Sequence, residues 1–324
     1  MRTTRREILL AAGACAVAPG AARAQTDASR PLTIVVPFEA GSAADAYVRV
    51  VAEAMRPALG RAVVVENKPG AAGNIGAQAV ARAPADGATI LAGTMSLFEI
   101  NPLIFDNPRW AMDDFTPLIK GVGAPLVFVT HPSVPARTLD EFVTWAKSRP
   151  RSLAYASFSA GSASHFLGAQ LNISFGLDLE HVPYRGSASQ TNELVAGQAL
   201  CGFAQASNAL PHVCAGTLRA IAVSGESRFG PLPDVPTFRE LGRPEFTTSV
   251  WYGLAARSGT PKDALDRLEA AIVAAHASPR AREMLKAQGV EVIAQTGPDL
   301  ARAISAGAQR WSAAVKASGF RASE

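Results

Sequence analysis

The chain is poor in the residues that would carry catalysis or metal binding. Three cysteines are spread over 324 residues, and no pair of them has the spacing of a zinc site. The five histidines, His131, His165, His181, His212 and His276, show no metal-ligand spacing either, so no metal is expected. There is no G-x-S-x-G elbow, and Ser159 or Ser162 would need a base and an oriented acid that the spacing does not supply, which argues against a hydrolase. "GAAGNIG" has the wrong glycine spacing for a dinucleotide loop and "GVGAPL" is an incomplete one, so no cofactor is expected. No basic run of the kind that neutralises phosphates is present, which excludes a nucleic-acid partner. Beyond residue 24 no apolar run approaches the roughly 20 residues that span a bilayer, which excludes direct membrane insertion.

The first 24 residues have a basic start, an apolar middle from Ile8 to Val17, and Ala22 and Ala24 in an A-x-A arrangement, which reads as an export signal cleaved after Ala24. Thr4-Arg5-Arg6 before Ile8 also approximates a twin-arginine pattern. This segment carries Arg2, Arg5, Arg6 and Arg23 against Glu7, so three of the chain's four net positive charges leave with it. The expectation is an exported, periplasmic protein. In an oxidising compartment Cys201 and Cys214 can pair; the alternative is two buried thiols acting as small apolar side chains.

About 300 remaining residues, in a chain that is 48% apolar, suffice for one large or two ordinary domains. Short β-rich runs such as "LTIVVPF", "AVVVEN", "TILAGT", "PLVFVTH" and "LRAIAVS" alternate with helical patterns such as Ala44, Val48, Val51 and Met55. That alternation predicts parallel α/β sheets. "RFGPLPDVPTFRELGRPEF" reads as a surface connection with little regular structure. "APLVFVTH" and "TSVWYGLAA" are candidates for crossing between domains. If both cross, residues 25–128 and 248–324 form a first lobe and residues 129–247 a second, with a cleft between them that a hinge can close.

Three junctions point at that cleft. After Ile34-Val35-Val36, Pro37 stops the ladder, Gly41 permits a tight turn, and a helix is predicted to start near Ala43. A helix start presents unpaired N–H groups and a positive dipole end, which bind an anion without a cationic side chain. "YASFSAGSASHFLGAQL" repeats the construction with Ser157, Ser159, Gly161, Ser162 and Ser164, and "LAGTMSLFEINP" places Thr94 and Ser96 after a strand. The bland reading of each is an N-cap.

Residues 31–49, with "VVVENKPGAAGNIGAQAVARAPADGATILAGT", "YASFSAGSASHFLGAQL", "HVPYRGSASQTNELVAGQ", "LRAIAVSGESRFGPLPDVPTFRELG" and "WYGLAARSGTP", resemble the Bug family, the extracytoplasmic solute receptors of tripartite tricarboxylate transporters. The resemblance covers essentially the whole chain after the export signal. It implies a type II periplasmic binding-protein fold, two α/β lobes joined by two crossing strands, closing on a carboxylate-bearing solute. It further implies that the carboxylate is held largely by backbone N–H groups, hydroxyls and bridging waters. Carried over by motif, the first loop is Pro37, Phe38, Gly41, Ser42 and Asp45. The second is Ser157, Ser159, Gly161, Ser162, Ser164 and His165.

Two departures bear on the ligand. Gly41-Ser42 stands where the family usually has a glycine pair, and Glu39 stands at a position more often neutral. An inward Glu39 would favour an amine or neutral tail; facing water it has no effect on the ligand. "AGQALCGFAQASNALPH" lacks the acid often found after "AGQ", which weakens an amino-acid assignment. Tyr184 is expected on the cleft wall, and Arg185 is read as a salt-bridge residue rather than a ligand clamp. The expectation is a non-enzymatic, monomeric receptor that delivers a small carboxylate to a membrane permease. The alternatives are a sensor that presents it to a membrane kinase and a serine-dependent hydrolase.

Overall fold

The computed structural model describes residues 30–149 and 153–322, so the export segment expected at residues 1–24 lies outside the described residues. Strands β1 (Leu32–Val36), β2 (Val63–Asn67) and β3 (Thr89–Thr94) alternate with helices α1 (Ala43–Leu59) and α2 (Asn74–Ala81), and one π-helical turn, Ser96–Ile100, leads into the short α3 (Asn101–Ile104). A long β4 (Phe115–Thr130) follows, then α4 (Leu139–Lys147), β5 (Ala154–Ser157), α5 (Ala163–Phe175), β6 (Glu180–Pro183), α6 (Ser187–Val195), β7 (Cys201–Gln205), α7 (Ala206–Cys214) and β8 (Arg219–Val223). The chain returns as β9 (Ser249–Arg257), α8 (Lys262–Ala277), α9 (Pro279–Ala287), β10 (Glu291–Gln295) and α10 (Pro298–Ser318).

Both halves use one strand arrangement. The first sheet runs β2-β1-β3-β9-β4, with β1, β2 and β3 parallel and β9 antiparallel between β3 and β4, and β10 adds to β4 as a further antiparallel strand. The second runs β6-β5-β7-β4-β8, with β5, β6 and β7 parallel and β4 antiparallel between β7 and β8. β4 belongs to both: Phe115–Pro125 pair with β9, and Leu126–Thr130 pair with β7. Pro125, which has no N–H to give a ladder, sits at the changeover. The result is two α/β lobes joined by crossing strands.

Local chemistry explains the elements that matter for the cleft. β1 buries Ile34, Val35 and Val36 together, as a strand covered on both faces must. α1 starts at Ser42, whose hydroxyl accepts from Asp45 N, and ends at Gly60 in the left-handed conformation. Its inward face, including Tyr47, Val48, Val51 and Met55, is fully buried, and each such aliphatic side chain contributes about 1.5–3 kcal/mol.

The two crossings are tied together by one buried hydroxyl. Ser224, just past β8, accepts from Leu126 N at 2.9 Å and donates to Thr248 O at 2.7 Å. Its backbone N–H bonds Leu126 O, and its carbonyl accepts from Thr248 N. Between β8 and β9 the proline-rich connection carries a short 3₁₀ turn, Pro244–Phe246, and an isolated bridge from Thr237 to Val223, and it buries Phe229, Phe238 and Phe246 as anchors. Cys201 and Cys214 are both free, Cys201 buried on β7 and Cys214 exposed at the end of α7, so the pairing that the compartment would allow is not formed.

Candidate functional site

Each lobe ends its first strand in a loop that opens a helix: residues 37–42 between β1 and α1, and residues 158–162 between β5 and α5. In the first, Gly41 adopts φ +82°, which places its N–H 2.8 Å from Asp45 Oδ2. Asp45 is buried, and its other oxygen accepts from Asn67 Nδ2 at 2.9 Å while Arg49 Nε reaches Oδ2 at 2.9 Å. Burial works to raise the Asp45 pKa, but the bonds from Arg49, Gly41 and Asn67 outweigh it and hold the carboxyl below its usual range. Asp45 therefore fixes the loop, and Asn67 adds a second tie by donating to Phe38 O. Ser42 Oγ accepts from Asp45 N, which leaves its own proton uncommitted. Pro37 and Phe38 pack beneath Gly73 and Gly76 of the next strand–helix junction, alongside Leu97. Glu39 is exposed.

The second loop is built around its hydroxyls. Ser162 caps α5, accepting from His165 N and donating to Ser159 O at 2.6 Å. With that proton spent, Ser164 donates to Ser162 Oγ at 3.0 Å while accepting from Phe158 N. Ser157 has one proton and two acceptors in reach, Ser159 O at 3.0 Å and His181 Nε2 at 2.7 Å, and either choice spends it inside the loop. Gly161, at φ +72°, gives its N–H to His165 Nδ1, so a neutral His165 carries its proton on Nε2. His165 stacks on His181, and burial depresses both imidazoles, His165 to about 3 with help from its neighbour and His181 to about 4. Both are neutral at pH 7.

This accounting separates loop-shaping hydroxyls from available ones. Ser157, Ser162 and Ser164 are buried and donate inward. Ser159 is exposed, and its hydroxyl has no partner among the described residues. Within this loop the serine that meets an imidazole, Ser157, is fully buried, which removes it from any substrate as a nucleophile. Tyr184 is half-buried and joins this group through its N–H on Ser157 O. Arg185 beside it is exposed.

The third junction follows β3. Thr94 is buried, and its hydroxyl accepts from Leu97 N at 3.1 Å, opening the π-helical turn that includes Ser96. Within that turn Glu99 is buried and accepts from Trp251 Nε1 at 2.7 Å; burial raises its pKa against the pull of that bond and of Arg310 and Lys120. This junction meets the first loop through Leu97, Gly73 and Phe38. Among the described residues no hydrogen bond joins the 37–45 group to the 157–165 group. Sequence reading missed His181 as the partner of Ser157 and Asn67 as the tie between Asp45 and Phe38.

Comparison with known proteins agrees with this architecture. The family model described as "Tripartite tricarboxylate transporter family receptor" matches residues 47–320. Protein BugT of Bordetella pertussis is 33% identical over 304 residues, covering 92% of each chain. Among solved structures, a protein of R. palustris with adipate superimposes with a TM-score of 0.80 at 30% identity, covering 90% of this chain and 98% of that one. MatC from Rhodopseudomonas palustris with bound malate gives 0.77 at 31%, covering 88% and 99%. The chain therefore has the periplasmic binding-protein fold and belongs to the tripartite tricarboxylate transporter receptor family, which is made of solute-binding receptors.

Proposed function

We propose that this chain is a periplasmic receptor that captures a small carboxylate between its two lobes and delivers it to the membrane permease of a tripartite tricarboxylate transporter. The observation that carries the reading is the matched pair of strand–helix loops, in which side chains shape the backbone and leave N–H groups at the starts of α1 and α5 for an anion. In this reading Ser42 and Ser159 supply hydroxyls, and Thr94, Ser96 and Tyr184 border the ligand. Asp45, Ser157, Gly161, Ser162, Ser164 and His165 act by holding the loops. Pro37 and Phe38 form the floor beside Gly73 and Gly76. In this reading the lobes are residues 25–128 with 248–324, and residues 129–247, the first boundary falling three residues past the β4 changeover at Pro125.

Relatives solved with adipate and with malate support a carboxylate as the ligand class. A non-enzymatic role fits the burial of Ser157, the loop serine that meets an imidazole. No helix among the described residues is long and apolar enough to cross a membrane, and delivery calls for a permease partner.

The test is a thermal-shift screen of residues 25–324, unfolded and refolded to remove carried-over solute, against mono-, di- and tricarboxylates and amino acids. A dose-dependent rise in Tm with a carboxylate supports the reading, as linkage requires. A folded protein that no carboxylate stabilises contradicts it.

A further inference from the structure

We propose a second binding site, separate from the paired loops, that takes a small carboxylate with an apolar body of about benzoate's size. It is a cavity of about 190 Å³ between the start of α2 and the segment after α3, with Ala71, Asn74, Ile75, Phe105, Pro108 and Arg109 in its walls. A cavity of roughly 150 Å³ is enough to hold benzene.

The buried amide of Asn74 sets the polarity of the site. Asn74 is 2% exposed, and its Oδ1 accepts twice, from Asn101 Nδ2 and from Trp110 Nε1, both at 2.9 Å. Two N–H donors on one atom fix which end of the amide is oxygen. The other end is the Nδ2 donor, which has no partner among the described residues and belongs to a residue lining the cavity. Asn74 thus presents a donor that the protein leaves free, which an acceptor entering the cavity can take in place of water.

Arg109 supplies the charge. Its guanidinium makes no hydrogen bond or ion pair among the described residues, and no acidic side chain lines the cavity. Gln78 donates Nε2 to Pro108 O and so braces the segment that carries Arg109, and the exposed Asn107, also in the wall, accepts from Arg109 N through its Oδ1. The remaining wall residues are apolar.

Backbone strain converges on the same place. Ala71, Ala72 and Arg109 are three of the four non-glycine residues with positive φ among the described residues, at 46°, 54° and 59°. Strain of this kind persists only where the surroundings enforce it and clusters at ligand clamps. Here Asn101 Nδ2, the group that orients Asn74, also holds Ala72 O at 3.0 Å.

The test is an NMR titration of ¹⁵N-labelled residues 25–324 with benzoate, with benzamide as the uncharged control. The Trp110 indole N–H, which rests on Asn74, is one of four indole signals in the chain, and Trp145 serves as a remote reference. Benzoate is expected to move the Trp110 indole and Asn74 side-chain signals saturably, with benzamide far weaker. Arg109→Ala should weaken the titration at least tenfold and Arg109→Lys much less. The proposal is overturned if these signals stay still to millimolar benzoate, if benzamide matches it, or if Arg109→Ala changes nothing. Shifts confined to the Gly41 and Gly161 amides would place benzoate in the cleft, overturning the second site while leaving the cleft reading intact.

Discussion

The rings of His165 and His181 lie parallel, 5° from coplanar, with centroids 3.7 Å apart, and each holds a different part of the loop that opens α5. Both imidazoles are depressed, to about 3 and about 4, so below pH 6.5 the unfolded chain binds protons that the folded chain refuses. Stability is therefore complete above pH 6.5 and is lost progressively as pH falls toward these values. His181→Gln should flatten the dependence of urea midpoint on pH between 6.5 and 4. An unchanged slope would mean the pair is not what titrates. His276, also depressed by burial, leaves a residual slope in the variant.

Ser159 and Ser162 are three residues apart and should behave oppositely. Ser162→Ala removes the cap of α5 and the acceptor for Ser164, and should cost about 1–2 kcal/mol in stability by chemical denaturation. Ser159→Ala should leave stability within about 0.5 kcal/mol and weaken carboxylate binding instead. Equal loss of stability in both would contradict the division of hydroxyls.

Asp45 anchors the other loop with three hydrogen bonds. Asp45→Ala should destabilise by about 1.5–3 kcal/mol, the scale of a lost hydrogen bond to a charged group. Because folding lowers its pKa, that contribution is full above pH 3.8 and is lost as pH falls below it. The difference between wild type and variant should shrink in that acid range when unfolding is followed by circular dichroism.

Ser224 is the predicted control point of the crossings. Ser224→Ala leaves the buried Leu126 N–H without its hydroxyl partner and frees Thr248 O, at a cost of about 1–3 kcal/mol. Hydrogen exchange at Leu126 should accelerate more than at Ile34 in the centre of the first sheet. Uniform acceleration at both would assign Ser224 a global rather than a hinge role.

The alternation of strands and helices was readable because Ile34-Val35-Val36 and its counterparts are short apolar runs bounded by turn residues. The helix starts at Ala43 and Ala163 were readable because Ser-x-x-Asp and Ser-x-x-His follow a glycine. β4 was legible only from Ala124 onward: Pro117, Gly121 and Gly123 break the strand pattern, and pairing with β9 and β10 overrides them. β10 escaped notice because Glu291 and Gln295 bound a short, half-buried edge. Within the site, local caps follow from spacing, but the bonds of His181 to Ser157 and of Asn67 to Asp45 span 24 and 22 residues, and only the fold brings them together.

The most direct test of carboxylate capture is isothermal titration calorimetry of refolded residues 25–324 with adipate and malate, each beside its dimethyl ester. The account predicts 1:1 saturable binding of at least one diacid, none of its ester, and weaker binding after Ser159→Ala. An ester that binds as well as its acid, or a folded chain that binds neither diacid nor any other carboxylate of the thermal-shift panel, would contradict it.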